Sequence, residues 1–295
     1  LLDHYLGKSS VQSILSLRHS NRLINLMMKG PEVANIQITA SESVGVNKRA
    51  GYFDQVGTLK DMVQSHLLQI LAFIAMSIPI TNHYAGLHRE KNNILSALRF
   101  IESDKNIVLG QYDGYKKEEG VPKSSKTETF SALRLFIDRE SWYKTPIYIR
   151  TGKKLQCKHT YVTVELKKFG FQPKDEEPNR LIFEMHPKEQ LKIKLINPMG
   201  ETSNYQTIET EDSIACHGDH CLPEHALLLL DAMRKNRTYF LSFQEIIATW
   251  RITDSITNFI KKSKLKPKIY KQKTEGPEAQ HNLTKMDGFK WFDAH

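Results

Sequence analysis

The order of the periodic segments constrains the fold of this chain more than any other feature. Apolar residues follow helical spacing in residues 59–76 and 87–101. Five short segments with the composition of strands come next, separated by turn residues: 127–137, 147–150, 161–166, 181–185 and 191–196. Helical spacing returns in residues 224–234 and 243–250. This order indicates an α+β fold with a large, mainly antiparallel sheet and helices packed on one face.

The first third of the chain adds three local predictions. A Ser-x-x-Gln capping box at residues 9–12 predicts a helix that begins directly after Lys8. Alternating apolar residues in Val33–Ser41 predict a strand with one buried face. Three glycines within residues 45–57 predict a loop.

Composition limits the compartment and the class of protein. Of the 295 residues, 40% are hydrophobic and 25% charged, which is typical of globular proteins. The longest apolar stretch, residues 67–80, is too short and too mixed to span a bilayer. Three cysteines argue against a disulfide framework and for a reducing compartment. We therefore expect a cytoplasmic protein without a membrane partner.

The net charge of +9 favours an acidic partner, such as a phosphorylated small molecule. The densest basic run, residues 261–273, fits a solvated linker or helix end better than a nucleic-acid surface. The segment CHGDHC, residues 216–221, offers zinc ligands but has no second ligand pair at matching spacing, so we expect no metal site. No glycine-rich nucleotide-binding loop follows a predicted strand.

Three polar groups are candidates for chemistry, and each has an ordinary alternative. Residues 3–8, DHYLGK, precede a helix start, where phosphate binds well, although composition alone favours a polar loop. His66 lies in an apolar helix, where most histidines are core residues; a general base there needs a carboxylate to orient it. Residues 150–153, RTGK, lie at the end of a predicted strand. They could form an anion contact, or simply a common turn.

Taken together, the motifs resemble one family, in order and at its spacing. They are DHYLGK at 3–8, RAGYFD at 49–54, DMVQSH at 61–66, VLGQY at 108–112, TETF at 127–130 and RTGK at 150–153. The chain resembles the C-terminal domain of glucose-6-phosphate dehydrogenases over residues 1–295. Residues 1–8 resemble the end of the family signature at the domain junction. We expect that the family's amino-terminal Rossmann domain is absent from this chain.

The resemblance implies a role for each matching residue. His66 is expected to be the general base and Asp3 its orienting partner. The expected substrate contacts are His4, Tyr5 and Lys8 for the phosphate, Glu42, Asp61 and Lys153 for the sugar hydroxyls, and Lys158 as a further basic contact. Ser65 departs from the family, which usually has Asn before the base.

The resemblance also implies an activity. The family oxidises glucose 6-phosphate to 6-phosphogluconolactone in the oxidative pentose phosphate pathway, with NADP as hydride acceptor. The cofactor contacts are expected outside this chain, which alone should be inactive. A homodimer through the sheet is expected, without a nucleic-acid partner. The alternative is a non-catalytic module for dimerisation or for sugar-phosphate binding.

Overall fold

The described residues form a ten-stranded sheet at the centre of the molecule. A computed structural model describes residues 3–79, 84–168, 177–197, 204–210 and 223–293. The strands are β1 (Val33–Ser41), β2 (Leu98–Arg99), β3 (Ile107–Tyr112), β4 (Phe130–Ile137), β5 (Ile147–Gly152), β6 (His159–Leu166), β7 (Arg180–His186), β8 (Gln190–Asn197), β9 (Asn204–Thr210) and β10 (Lys268–Tyr270). Their order is β10-β3-β4-β5-β1-β6-β7-β8-β9, and β2 pairs with β4. Only β1–β5 and β3–β10 pair in parallel among the described strands, so the predicted α+β class with a mainly antiparallel sheet is confirmed.

The helices come largely before and after the strands, as the order of periodic segments predicted. They are α1 (Ser9–Ser20), α2 (Arg22–Met27), α3 (Ala50–Thr58), α4 (Leu68–Ala75), α5 (Tyr84–Ser96), α6 (Glu224–Met233), α7 (Phe243–Ser263) and α8 (His281–Lys285). A π-helical segment, Leu59–Leu67, joins α3 to α4. In the described part of the chain, no helix is both long and apolar enough to cross a bilayer.

The predicted long helix over residues 59–76 is confirmed as the central element. Every residue of α4 is buried, because the helix lies between the sheet and the surrounding helices. In the main apolar core, α4 packs against strand residues on the helix-facing side of the sheet, among them Ile36, Ile38 and Ile149. Helix α4 thereby fixes the π-helical segment that precedes it.

The prediction of a single buried face on β1 is wrong. Its apolar residues pack on the helices, but its polar residues are buried as well. The amide of Gln37 donates to the carbonyl of Lys290 at 2.9 Å and accepts the Phe292 N–H at 2.7 Å. The C-terminal segment therefore covers this part of the sheet on the side away from the helices.

Three other local predictions need correction. Residues 50–57 form most of α3 rather than a loop, and the left-handed φ of 70° at Gly57 falls near its end. Helix α7 runs to Ser263 instead of stopping near residue 250. The helix does begin after Lys8, but no capping box forms, since the Ser9 hydroxyl donates to Glu189 instead.

The basic run at residues 261–273 contains a helix end, as predicted. Lys261 and Lys262 occupy the last turn of α7, where positive charge stabilises the helix dipole. Lys264 ends the helix with a left-handed φ of 54°. The predicted absence of a zinc site at residues 216–221 concerns a segment outside the described residues.

Candidate active site

The carboxylate of Asp3 and the imidazole of His66 form the centre of the site. The Asp3 Oδ1 lies 2.6 Å from the His66 Nδ1 and also accepts the Tyr5 N–H at 2.9 Å. Because an ionised carboxylate only accepts hydrogen bonds, the proton of the neutral imidazole sits on Nδ1. The lone pair on Nε2 is then available to take a proton from a substrate. The pairing that His66 requires to act as a base is thus present.

Both partners are held by local structure. Asp3 is 3% exposed and caps the short helical turn His4–Gly7 through its contact with the Tyr5 N–H. The His66 side chain is 14% exposed, and its ring stacks on the Tyr5 ring at a centroid distance of 4.6 Å. The His4 ring meets His66 edge-on at 4.6 Å. His66 therefore has a fixed orientation at the rim of the protein interior.

The π-helical segment Leu59–Leu67 brings Asp61 and His66 about one turn apart. The Ser65 hydroxyl donates to the Lys60 carbonyl at 2.8 Å, five residues earlier, and so follows the π-helical spacing. Such segments occur often at functional sites because they shift side chains relative to a regular helix. The segment therefore carries a carboxylate and the candidate base on one short stretch of helix.

Glu128 supports the start of this segment. Its carboxylate accepts the Leu59 N–H at 3.1 Å. Burial raises the pKa of Glu128 to about 7, although the backbone N–H groups and Lys60 act in the opposite direction. A Cβ at Gly57 would lie 2.3 Å from the Glu128 Oε1, so glycine allows this close approach.

A second cluster joins the π-helical segment to the sheet. Strands β1 and β5 are parallel, and Ser41 pairs with Gly152 at their carboxyl ends. Glu42 and Lys153 follow directly after these ends. The Lys153 Nζ lies 2.5 Å from Glu42 Oε2 and 3.4 Å from Asp61 Oδ2. The three predicted hydroxyl contacts therefore lie together, and two carboxylates flank one ammonium group.

The predicted basic residues lie at the other end of the site. The Lys8 Nζ lies 5.3 Å from the centroid of the Tyr5 ring. Lys158 is exposed just before β6. Burial, followed by the positive charges of Lys158 and Lys8, lowers the pKa of His186 at the end of β7. Both lysines thus act on the imidazole of His186, and together they form a positive surface beside it.

Two histidines near this site were not predicted. His186 has no motif around it and reaches the lysines only through the pairing of β6 with β7. His225 lies in the first turn of α6, and its ring is parallel to that of His4 at 6.2 Å. Nothing in the local sequence marks either residue, since both approach the site through long-range packing.

The Arg150 side chain in the RTGK motif points away from this cluster. It donates to Thr39 Oγ1 at 3.0 Å and stacks over the Trp291 ring at 4.5 Å. These contacts hold the C-terminal segment on the sheet. Within the motif, only Lys153 reaches the candidate active site.

Comparison with known proteins identifies the family of this chain. A family model described as the C-terminal domain of glucose-6-phosphate dehydrogenase matches residues 15–292. The glucose-6-phosphate 1-dehydrogenases of Gluconobacter oxydans (strain 621H) and Bacillus subtilis (strain 168) are 35% and 34% identical to the chain. Each match covers 99% of this chain and 63% or 64% of the relative. The chain thus spans just under two thirds of the length of these relatives.

Solved structures show the same fold. Glucose-6-phosphate 1-dehydrogenase from Mycobacterium avium superposes with a TM-score of 0.85 at 30% identity, over 99% of this chain and 63% of that one. A glucose-6-phosphate dehydrogenase in complex with its substrate glucose 6-phosphate gives a TM-score of 0.87 at 26% identity, with the same coverage. The chain belongs to the glucose-6-phosphate dehydrogenase family, whose C-terminal domain it matches from residue 15 to residue 292.

Proposed function

We propose that this chain binds glucose 6-phosphate and supplies the substrate half of a glucose-6-phosphate 1-dehydrogenase. The observation that carries the proposal is the 2.6 Å contact between Asp3 and His66 beside the Lys153–Asp61 contact. A base with a fixed tautomer, next to groups that bind hydroxyls, suits the oxidation of a sugar alcohol. The domain assignment over residues 1–295 is part of this proposal.

In the proposed reaction, His66 removes the proton of the sugar C1 hydroxyl through Nε2. The bond between C1 and its hydrogen breaks at the same stage, the hydride leaves, and C1 becomes the carbonyl carbon of the lactone. NADP, when bound, supplies the hydride acceptor. Asp3 stabilises the imidazolium that forms on His66, since a carboxylate 2.6 Å away favours the charged ring.

The residues of this chain do not match the usual pattern of a dinucleotide-binding site. The sequence has no Gly-x-Gly-x-x-Gly turn between a strand and a helix, which would hold the pyrophosphate. We therefore assign no cofactor contact to this chain. We expect the 295-residue chain alone to leave NADP unreduced, because hydride transfer requires the acceptor to be held against C1.

The phosphate is assigned to the positive end of the site. Lys8 and Lys158 carry charge that suits a dianion, while His4 and Tyr5 contribute polar ring groups from the turn before α1. Glu42, Asp61 and Lys153 are assigned to the sugar hydroxyls, since carboxylates accept and an ammonium group donates. A sugar phosphate placed between these two ends has its ring beside His66.

Replacing Lys8 with alanine tests the phosphate assignment. Losing a hydrogen bond to a charged group costs about 1.5–3 kcal/mol, so the Kd for glucose 6-phosphate should rise about 10- to 100-fold. Titration calorimetry on the purified chain measures this, with Lys29→Ala as a matched control, because Lys29 is exposed and lies outside the site. An unchanged Kd in Lys8→Ala would place the phosphate elsewhere.

We further propose a homodimer through the sheet. In β8, the side chains of residues 192–196 remain partly exposed although the strand lies within the sheet. A second copy of the chain could bury this surface. If the chain binds no sugar phosphate but is dimeric, the non-catalytic dimerisation module becomes the better account. A sedimentation mass of 34.0 kDa, that of one chain, would argue against the dimer.

The setting that we propose is the oxidative pentose phosphate pathway in the cytoplasm, with no nucleic-acid or membrane partner. One relative, from Arabidopsis thaliana, is named a cytoplasmic glucose-6-phosphate 1-dehydrogenase and is 33% identical to this chain.

A further inference from the structure

The ends of several strands meet at the backbone of Lys153. Strand β10 pairs with β3, so that Tyr270 lies opposite Tyr112. Strand β4 pairs with β5, and next to this pairing the Thr129 carbonyl accepts the Lys153 N–H at 2.9 Å. The sheet therefore brings Tyr270, from the C-terminal part of the chain, to the lysine that we assign to the sugar hydroxyls.

Buried groups form a chain of hydrogen bonds that ends on the Lys153 carbonyl. The Tyr112 N–H donates to the Thr129 Oγ1 at 2.9 Å, and this hydroxyl lies 3.1 Å from the Tyr270 oxygen. The Tyr270 hydroxyl donates to the Lys153 carbonyl at 2.6 Å, which is closer than the Thr129 carbonyl at 3.3 Å. Because a hydroxyl has a single proton, Thr129 is the donor to Tyr270. The bonds of such a chain polarise and strengthen one another.

Burial keeps the Tyr270 hydroxyl in this chain. Thr129 is 0% exposed and Tyr270 is 4% exposed, so water does not compete for their hydroxyl groups. Burial raises the pKa of Tyr270, although its contacts with Thr129 and the Lys153 backbone oppose the rise. The hydroxyl therefore stays protonated at neutral pH and remains a donor to Lys153.

The backbone directly after Lys153 requires such support. Lys154 has a left-handed φ of 54°, which is uncommon for a residue other than glycine. A residue keeps a strained conformation only where its surroundings hold it. The Lys154 N–H donates to the Val44 carbonyl at 3.0 Å, and its carbonyl accepts the Lys273 N–H at 2.8 Å. The C-terminal segment thus holds this turn through both Tyr270 and Lys273.

The backbone position of Lys153 determines where its ammonium group lies. The side chain is 11% exposed, and its Nζ contacts Glu42 at 2.5 Å and Asp61 at 3.4 Å. The same Nζ lies 5.1 Å from the centroid of the Phe53 ring. A side chain enclosed in this way has little freedom to compensate for a backbone shift. Loosening a binding group by about 1 Å is enough to impair a site.

We propose that Tyr270 is a positioning residue for sugar binding. Its hydroxyl, oriented by Thr129, holds the Lys153 backbone so that the ammonium group meets the sugar hydroxyls. The contact between Lys153 and the sugar rests on the proposed function, whereas the support of the turn after Lys153 does not.

Tyr270→Phe tests the proposal, because it removes only the hydroxyl. Tyr161→Phe is the matched control, since Tyr161 is also buried, at 2% exposed, and its hydroxyl also donates to a backbone carbonyl, that of Phe292 at 2.8 Å. A second pair of variants changes the middle of the hydrogen-bond chain. Thr129→Ser keeps a hydroxyl, whereas Thr129→Val has a similar shape without one. Urea unfolding confirms that each variant is folded.

Two measurements on the purified chain are compared. In titration calorimetry, the Kd for glucose 6-phosphate should rise about 2- to 10-fold in Tyr270→Phe and Thr129→Val, as expected for one net hydrogen bond. Without ligand, hydrogen exchange at the Lys153 amide should become faster in these two variants relative to the amides of α4. Tyr161→Phe and Thr129→Ser should match the unmodified chain in both measurements.

The proposal is overturned if Tyr270→Phe binds glucose 6-phosphate as tightly as the unmodified chain does, or if Tyr161→Phe loses as much affinity. An unmodified chain that binds no glucose 6-phosphate removes the proposed function, and with it the role of Tyr270 in sugar binding. Hydrogen exchange then decides the remaining claim. Faster exchange at the Lys153 amide in Tyr270→Phe supports the hold on the turn, and unchanged exchange removes it.

Discussion

Replacing His66 with asparagine is expected to lower kcat/KM for glucose 6-phosphate oxidation by about 10²- to 10⁴-fold, the usual contribution of a general base. Asparagine keeps a polar side chain of similar size but cannot accept the proton of the C1 hydroxyl. Asp3→Asn should lose a comparable factor, since an amide in place of the carboxylate no longer stabilises the imidazolium 2.6 Å away.

The measurement requires the cofactor to be present in a competent domain. We propose to obtain it by joining the chain to the part of the Gluconobacter oxydans relative that the match leaves uncovered; the two proteins are 35% identical over the matched part. NADP reduction is then compared between this fusion and its His66→Asn variant. His19→Asn is the control, because His19 is an exposed histidine on α1 away from the site. A His66→Asn fusion that keeps full activity would remove His66 from the mechanism.

Replacing Glu245 with glutamine is expected to lower the free energy of unfolding by about 3–5 kcal/mol, the cost of breaking a buried ion pair. The Glu245 carboxylate lies 2.9 Å from Lys91 Nζ and 2.7 Å from His88 Nδ1. Both Lys91 and Glu245 have side chains that are 0% exposed. Burial already lowers the pKa of Lys91, and the variant would leave its charge without a carboxylate partner.

Urea unfolding of the purified chain measures this loss. The control is Asp138→Asn, which breaks the pair with Arg99 at 2.9 Å, where the two side chains are 68% and 63% exposed. An exposed pair contributes about 0–1 kcal/mol, so the control should be close to the unmodified chain. Equal losses in the two variants would show that the buried pair does not join α5 to α7 as strongly as its burial implies.

Periodicity predicted the α+β class and the central helix because these depend on local patterns. The second buried face of β1 could not be predicted, since the residues that cover it, Lys290 and Phe292, lie about 250 positions later. The π-helical segment was also missed. A π-helix bonds each N–H to the carbonyl five residues earlier instead of four. Over a segment of nine residues, this change leaves the spacing of apolar residues in the sequence almost unchanged.

The residues of the candidate site were predicted mainly from the family resemblance. From local sequence alone, Asp3 and Lys8 were assigned to a polar loop and His66 to the core of a helix. No sequence pattern predicts a contact between Asp3 and His66, since they are 63 positions apart. The structure brings Asp3 to His66 and Lys153 to Asp61. It also adds His186 and His225, which neither chemistry nor resemblance predicted.

The most direct test of the substrate site is the NMR spectrum of the His66 imidazole during titration with glucose 6-phosphate. If the sugar C1 hydroxyl lies at Nε2 and the phosphate at Lys8, the His66 ring signals should shift and saturate. The same shift should require about 10 to 100 times more ligand in Lys8→Ala. Two results would contradict this account. In one, glucose 6-phosphate binds to the chain but the His66 signals do not shift. In the other, the His66 signals stay unchanged even at a high concentration of glucose 6-phosphate.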